Sequence, residues 1–197
     1  MTVEIRGNLS ANNLVLSEKF RRYSTGTILF TGVGARVEID GPVSSGDITL
    51  TIGSGASVSI GQDCVIGRLS LNLFGEGARI DIGRSVGFAG SVNLSTHEGG
   101  RINIGAQCLI AGDTVFAASD GHPIFDVSTG ERINQAADIC VGEHVWIAAR
   151  AMVLKGADIG RNSVVGAGSI VTGHFGPNSL IVGNPARVLR SGINWRE

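Results

Sequence analysis

His122 is the side chain in this sequence best suited to acid and base chemistry. It lies between Gly121 and Pro123, in a polar stretch whose residue types favour turns. A neutral imidazole, with an ordinary pKa of about 6.5, can accept a proton near neutral pH and return it in a later step. The alternative is a polar loop histidine without a role. We predict that His122 is a general base.

Other titratable residues are weaker candidates. Three carboxylates lie near His122 in the chain, and the sequence does not rank them as its partners: Asp120, Asp126 and Glu131. The remaining histidines, which we assign to the surface, are His97, His144 and His174. Consecutive histidines are separated by 25, 22 and 30 residues, which fits no metal site. We therefore predict that the protein requires no metal.

A six-residue repeat must position these side chains. The repeat positions are Val141, Ile147, Val153, Ile159, Val165 and Val171, and small or apolar residues stand two places before each. A helix would space its apolar residues three and four apart, and a single strand would alternate for one segment only. A strict period of six predicts short strands joined by bends, wound into a solenoid whose coils stack on one another.

The repeat also predicts which side chains face inward. Cys64 and Cys108 each lie two places before a repeat position, whereas Cys140 has the outward parity. The cysteine count is odd and the spacing is not that of a metal site, so we assign the first two to the core and predict no nucleophilic cysteine. Trp146 immediately precedes Ile147 and therefore faces outward. A large outward ring favours ligand binding; the alternative is packing between subunits.

We predict one domain, residues 1–197, with three regions. Residues 1–26 lack the repeat and are assigned to an N-terminal cap. Residues 27–183 form the solenoid, whose repeat is imperfect from Ile28 to Ile60, where small deletions or bulges are expected. The frame breaks between Phe116 and Val141, which predicts an ordered, functional loop extruded at about 118–137. Residues 184–197 form a C-terminal tail, with Trp195 as the expected plug of the open end.

Composition argues against several classes of partner and location. The 30 glycines and 5% aromatic content suit a solenoid rich in bends. A formal net charge of −1 gives no general attraction to nucleic acid or to anionic membranes. The sequence shows neither a signal-peptide pattern nor an apolar run long enough to span a membrane. We therefore expect a cytoplasmic protein.

Several motifs resemble the hexapeptide-repeat acyltransferases. The resemblance extends over about residues 50–195 and is strongest in the stretches SDGHPIFD, ICVGEHVWI, VLKGADIG, VVGAGSIV and GNPARVLRSGINW. Within that family the sequence is most similar to bacterial O-acetyltransferases of capsular or other surface polysaccharides, of the polysialic acid type. The resemblance implies an all-β fold, the left-handed parallel β-helix, and a homotrimer with active sites between subunits. Its left hand follows from the resemblance alone, because ordinary strand crossovers are right-handed.

The resemblance also implies roles for individual residues. Acetyl-CoA is the expected cosubstrate, His122 the base, and Trp146 a wall of the groove shared with a saccharide acceptor. Further cofactor contacts are expected at Ala149, Lys155, Ala167, Thr172, Arg187 and Arg190. The lysine that often follows Thr172 in the family is Gly173 here, and Lys155, one 18-residue coil earlier, is predicted to replace it in part. For the two arginines the alternative is a solvated turn.

The leading hypothesis is an acetyl-CoA-dependent O-acetyltransferase for a hydroxyl of a surface-polysaccharide sugar. Direct transfer in a ternary complex is favoured because no activated cysteine or serine is evident. One alternative is an acetyltransferase for a small acceptor, such as a nucleotide-linked amino sugar or an antibiotic. Another is a non-catalytic solenoid scaffold, against which the extruded loop and Trp146 argue.

Overall fold

The computed structural model describes residues 2–41 and 44–196, and strands dominate them; the predicted domain ends, Met1 and Glu197, lie outside this part. The strands are β1 (Val3–Arg6), β2 (Asn13–Leu16), β3 (Thr25–Phe30), β4 (Arg36–Ile39), β5 (Ser44–Ile52), β6 (Ser57–Ile60), β7 (Val65–Leu73), β8 (Arg79–Ile82), β9 (Gly87–Thr96), β10 (Arg101–Ile104), β11 (Leu109–Ile110), β12 (Thr114–Ala117), β13 (Ile139–Val141), β14 (Trp146–Ile147), β15 (Met152–Leu154), β16 (Asp158–Ile159), β17 (Val164–Val165), β18 (Ile170–Val171), β19 (His174–Phe175), β20 (Ser179–Gly183) and β21 (Ala186–Ser191). A short helix, α1 (Glu18–Tyr23), lies between β2 and β3, and a 3-10 turn spans Leu9–Ala11.

These strands stack into two long sheets. One sheet runs β1-β3-β5-β7-β9-β11-β14-β17-β20-β21, with β12, β15 and β18 branching from β9. The other runs β19-β16-β13-β10-β8-β6-β4-β2. Each strand pairs in parallel with the strand one coil away, except that β21 is antiparallel to β20. The chain thus winds through about 8 turns, and the predicted all-β parallel β-helix is confirmed.

The six-residue repeat describes the second half of this coil closely. Trp146 pairs with Val164, and Met152 pairs with Ile170, each partner lying 18 residues later. The six repeat positions between residues 141 and 171 are at most 3% exposed, and the residues two places before each are at most 1% exposed. The bends between them bring backbones together: a Cβ on Gly160 would lie 2.4 Å from Pro177 N. The period therefore reflects three short strands per coil around one apolar core.

The first half of the coil differs from the prediction. Ile28 pairs with Leu50, and Leu50 pairs with Leu71, so each coil there takes 21 or 22 residues. The expected deletions are therefore wrong, because these coils are longer than 18 residues. Long strands such as β5, β7 and β9 run continuously along the stretch that later divides into two short strands. An alternating strand has a period of two, which obscures a period of six.

The β-helix also begins earlier than residue 27. Strand β1 pairs with β3 and β2 pairs with β4, both in parallel, so the region predicted as a cap contributes a coil of its own. Helix α1 completes this coil: Ser17 Oγ accepts a hydrogen bond from Phe20 N at its start. Phe20 is fully buried and belongs to the main core.

The C-terminal tail is a strand rather than a helical turn. After the cis Asn184–Pro185 bond, β21 turns back and pairs with β20, from Ser179 opposite Ser191 to Gly183 opposite Ala186. The expected closing helical turn is therefore wrong. The antiparallel strand covers the last strand of the longer sheet, which would otherwise expose unpaired backbone groups at its edge.

Candidate active site

The extruded loop is an ordered hairpin, which we call the arm (residues 118–138). It leaves the coil after β12 and returns before β13, and its base is closed by a hydrogen bond from Ala137 N to Ala118 O at 3.1 Å. Ile133 N donates to Ile124 O at 2.9 Å, so the two sides of the arm pair with each other. His122 lies on the outgoing side, with an exposed side chain. The prediction of an extruded loop at this place is confirmed.

Asn134 joins the two sides of the arm beside His122. Its side-chain Oδ1 accepts a hydrogen bond from Ile124 N at 2.6 Å, and its Nδ2 donates to His122 O and to an oxygen of Asp120, both at 2.8 Å. Asn134 is 7% exposed. The buried amide therefore holds the backbone on both sides of the imidazole-bearing residue.

Lys155 fastens the arm to the next coil. It directly follows β15, whose Leu154 pairs with Ala117, the last strand residue before the arm. Its Nζ donates to Asp120 Oδ2 at 2.6 Å and to the carbonyl oxygens of Asn134 and Gln135 at 3.1 and 3.2 Å. The Lys155 ammonium, and then the Asn134 amide, lower the pKa of the Asp120 carboxyl below its usual value.

This arrangement gives Lys155 a role that the sequence did not predict. An ammonium group has three hydrogen atoms to donate, and each has a partner on the arm. A contact between Lys155 and a cofactor phosphate would require these bonds to break. The structure therefore ranks Asp120 first among the three loop carboxylates as a group that orders the arm.

Asp126 and Glu131 occupy other parts of the arm. Asp126 Oδ1 accepts bonds from the amides of Ser128 and Thr129 at 2.8 and 2.9 Å, and from Ser128 Oγ at 2.5 Å. These donors lower the pKa of Asp126 to about 2, with Ser128 contributing most. Asp126 therefore stabilises the tip, while Glu131 is exposed on the returning side.

Glu98 and Arg132 form a second anchor. Glu98 lies in the turn after β9, and Arg132 lies on the returning side of the arm; their nearest charged atoms are 2.8 Å apart. Ser119 Oγ also donates to Glu98 Oε2 at 2.7 Å. The bonds from Arg132 and Ser119 lower the pKa of Glu98 to about 2. Sequence reasoning missed this pair, because 34 residues separate its members and nothing local links them.

Trp146 faces outward, as its parity predicts, and is 37% exposed. Beside it lies Trp195, only 8% exposed, with ring centroids 6.1 Å apart. Trp195 stacks on the His144 ring at 4.4 Å, and its Nε1 donates to His144 O at 2.8 Å. The expectation that Trp195 plugs the end of the solenoid is therefore wrong. The tail instead folds back along the outside of the coil and supports Trp146.

The small residues predicted to bind the cofactor lie at one corner of the coil. Gly168 N donates to Ala149 O at 3.0 Å, which places the turn containing Ala167 directly against the turn containing Ala149. Ala149 is half-buried and Ala167 exposed, so the corner presents backbone to solvent. Thr172 is also exposed, just after β18.

The predicted arginines lie at the end of the sheet that carries Trp146. Trp146 pairs with Val164, Val164 with Leu180, and Leu180 with Arg190, so these four residues form one column across β14, β17, β20 and β21. Arg187 lies on the same terminal strand, and both arginine residues are exposed. The column begins with an aromatic ring and ends with a guanidinium group.

The cysteines are poorly placed for nucleophilic chemistry. Cys64 and Cys108 are buried and Cys140 is exposed, as their parity predicts. Burial raises the pKa of Cys64, and that of Cys108 to about 11, so neither thiol is ionised near neutral pH. Burial also raises the pKa of Cys140, followed in effect by the nearby carboxylates of Asp158 and Asp138.

The structure does not join the two leading candidates within one chain. His122 is on the arm, whose anchors follow β9 and β15, whereas Trp146 lies on β14. Within residues 2–41 and 44–196, no group of three or more His, Cys, Asp or Glu side chains is placed to hold a metal ion. Over the same ranges, no helix is long and apolar enough to cross a membrane.

Comparison with known proteins identifies the repeat and several relatives. Residues 141–173 match the family described as bacterial transferase hexapeptide (six repeats). A polysialic acid O-acetyltransferase of Escherichia coli O1:K1 / APEC is 38% identical over 88 residues, 45% of this chain and 29% of that protein. A galactoside O-acetyltransferase of Escherichia coli (strain K12) is 36% identical over 124 residues, 63% of this chain and 59% of that protein. The chain thus spans less than two thirds of the length of these relatives.

Solved structures extend the similarity to nearly the whole chain. The polySia specific acetyltransferase NeuO is 27% identical with a TM-score of 0.76, over 99% of this chain and 78% of that chain. The polysialic acid O-acetyltransferase OatWY is 25% identical with a TM-score of 0.67, over 100% of this chain and 92% of that chain. A hexapeptide-repeat acetyltransferase of Vibrio cholerae O1 biovar eltor, solved with acetyl coenzyme A, is 27% identical over 70% of both chains, with a TM-score of 0.50. The left-handed parallel β-helix expected from the resemblance is confirmed.

Proposed function

We propose that this chain, a hexapeptide-repeat β-helix similar to the polysialic acid O-acetyltransferases, is itself an acetyl-CoA-dependent O-acetyltransferase. Its acceptor is a hydroxyl of a bacterial surface-polysaccharide sugar, and its general base is His122. Acetyl-CoA as cosubstrate places the reaction in the cytoplasm. The observation that carries the proposal is the column from Trp146 to Arg190, together with an arm that holds His122 at a fixed place.

The column supports binding of coenzyme A. Neighbouring strands lie about 4.8 Å apart, so three steps separate Trp146 from Arg190 by roughly 14 Å along the sheet. An apolar strip of this kind suits a pantetheine chain, and a guanidinium at its end suits the phosphates of the nucleotide, which it can bond bidentately. Arg187 adds a second guanidinium on the same strand.

The neighbouring corner supports the pantetheine end of the same cofactor. Ala149, Ala167 and Thr172 present small side chains, so a ligand can approach the backbone there. Lys155 is excluded from our proposed cofactor site because its ammonium group binds the arm. The phosphate contact predicted for Lys155 is therefore left to Arg187 and Arg190.

In the proposed reaction His122 takes the proton of the acceptor hydroxyl as its oxygen attacks the thioester carbonyl. The carbon–sulfur bond then breaks, and the imidazolium returns the proton to the departing thiolate. No acyl-enzyme is required. Direct transfer is supported by the burial and raised pKa of Cys64 and Cys108, which remove the obvious thiol nucleophiles.

We further propose a homotrimer with active sites between subunits. His122 and Trp146 lie on separate parts of the coil, so a complete site needs the arm of one chain to meet the groove of another. The arm also exposes four apolar side chains, each more than half exposed: Ile124, Phe125, Val127 and Ile133. Such a cluster on a projecting hairpin favours burial against a second copy of the chain.

A second candidate acceptor is a small saccharide. The galactoside O-acetyltransferase is 36% identical to this chain over 124 residues, a longer match than that of the polysialic acid enzyme from Escherichia coli O1:K1 / APEC. Polymer and small-acceptor activities would use the same base and the same cofactor groove. The two hypotheses therefore differ only in which acceptor supports turnover.

The test is thiol release from acetyl-CoA with a panel of polysaccharides, oligosaccharides and simple glycosides. For His122→Ala we expect a loss of about 10²- to 10⁴-fold in rate with the acceptor that serves the unaltered protein, because the general base is removed. His174→Ala is the matched control, since His174 is exposed and pairs with Asp158 away from the arm. Activity that survives His122→Ala would refute the mechanism, and inactivity with every acceptor would favour a scaffold.

A further inference from the structure

We propose that Asn134 is a positioning residue that sets the place of the His122 imidazole. The inference rests on the proposed function of His122 as general base. Asn134 does not touch the ring; it acts through the backbone that carries it. Its Nδ2 donates to His122 O at 2.8 Å, and its Oδ1 accepts from Ile124 N at 2.6 Å. The side chain thus fixes the chain at His122 and two residues beyond.

The amide of Asn134 uses all of its hydrogen-bonding capacity. A side-chain amide offers two donors and two acceptor positions. The second donor binds Asp120 Oδ2 at 2.8 Å, and the second acceptor position receives Arg132 Nε at 3.3 Å. Both of these partners belong to the anchors of the arm, since Asp120 binds Lys155 and Arg132 binds Glu98. Asn134 therefore connects His122 to two coils of the solenoid.

Burial makes these bonds consequential. Asn134 is 7% exposed, although most residues of the arm around it are exposed. Water cannot readily replace the lost partners of a buried amide, so removal of the side chain leaves the polar atoms of Ile124 and His122 without compensation. The amide is also tied to the scaffold through its own residue, because Lys155 Nζ donates to Asn134 O at 3.1 Å.

The hairpin itself does not depend on this amide. Backbone bonds from Asp126 N to Glu131 O and from Ile133 N to Ile124 O hold its tip, and Ala137 N to Ala118 O closes its base. Loss of the Asn134 side chain should therefore leave the arm folded but free the segment around His122. A displacement of about 1 Å of a catalytic group can cost roughly 10²-fold in rate.

The experiment compares Asn134→Ala, Asn134→Asp and Gln135→Ala. The aspartate retains acceptors for Ile124 N and Arg132 but loses both donors, and it has nearly the same shape. Gln135→Ala is the matched control, since it removes one exposed side-chain bond on the same side of the arm, from Nε2 to Arg132 O at 2.8 Å. Steady-state kinetics and amide hydrogen exchange are measured for all three variants and for His122→Ala.

We expect both Asn134 variants to lower kcat about 10- to 100-fold while the KM for acetyl-CoA stays within about two-fold, because the cofactor groove lies elsewhere on the coil. Exchange of the Ile124 amide should accelerate in Asn134→Ala and stay protected in Asn134→Asp. Gln135→Ala should resemble the unaltered protein in both measurements. Should Asn134→Ala fail to fold, the kcat of the near-isosteric aspartate variant decides.

Two outcomes separate this inference from the proposed function. If His122→Ala is inactive but both Asn134 variants keep kcat within two-fold of the unaltered protein, the inference is overturned and the proposed function stands. If His122→Ala is active, the proposed function fails, and with it the role of Asn134 in setting a catalytic ring. Unchanged exchange of Ile124 in Asn134→Ala would overturn the inference in either case.

Discussion

The Lys155 ammonium group decides between two accounts of how this site works, and replacing it with an apolar group tests them. Lys155→Met keeps an unbranched stem of similar length and removes the charge. On the structure, the variant loses one bond to Asp120 Oδ2 and two to the carbonyl oxygens of Asn134 and Gln135. The sequence alone assigned this lysine to a cofactor phosphate, so the two accounts predict different defects.

The size of the effect follows from the surroundings of the three bonds. The Lys155 side chain is 22% exposed and that of Asp120 43%, so the ion pair is partly screened and is worth about 0–1 kcal/mol. The two carbonyl bonds add about 0.5–1.5 kcal/mol each. Together they stabilise the docked arm by about 1–3 kcal/mol. The detached population should therefore rise roughly 5- to 100-fold in Lys155→Met.

Amide hydrogen exchange measures this population directly. We expect faster exchange at Ile124 and Ala137, whose amides are protected only while the arm is folded onto its base. The KM for acetyl-CoA should stay nearly unchanged. Lys19→Met is the control, because Lys19 and Asp63 are exposed and 3.9 Å apart, far from the arm in sequence. Unchanged exchange together with a several-fold higher KM for acetyl-CoA would refute the structural account and return Lys155 to the cofactor.

Two further predictions concern the second anchor and the tail. The carboxyl of Glu98, usually near 4.5, should titrate by NMR at about 2; since the pKa is lowered on folding, the pairing is fully present above pH 4.5 and is lost as the pH falls toward 2. Arg132→Gln should move that midpoint back toward 4.5, and a midpoint already near 4.5 in the unaltered protein would contradict the ion pair. Trp195→Ala should expose Trp146 and increase quenching of its fluorescence by acrylamide, whereas Leu189→Ala, at a residue 68% exposed on β21, should not. Equal quenching in both variants would show that the tail does not support Trp146.

Residue parity carried much of the sequence-based prediction. The outward position of Trp146 and the burial of Cys64 and Cys108 follow from one property, that successive side chains of a strand point to opposite faces. This property is local, so a short stretch of sequence contains it. The same local rule failed in the N-terminal half, where long strands replace pairs of short ones and the six-residue frame is lost.

Contacts between coils could not be predicted in the same way. Glu98 meets Arg132 because the turn after β9 lies beneath the arm, and that depends on how many residues each coil contains. The N-terminal coils take 21 or more residues and the later ones 18, so a fixed period misplaces any residue pair that spans the two halves. Trp195 was misplaced for a related reason, since the direction of the tail depends on the antiparallel turn after Gly183.

The sequence by itself determined the solenoid, the place of the arm and the choice of His122 and Trp146, because spacing and residue type are properties of short segments. Only the tertiary structure decided that Asn134 holds the backbone of His122, that Lys155 and Glu98 fasten the arm, and that Trp195 supports Trp146. These contacts join residues whose separation in the chain ranges from 12 to 51 positions. Their partners are fixed by the stacking of the coils, which no local pattern specifies.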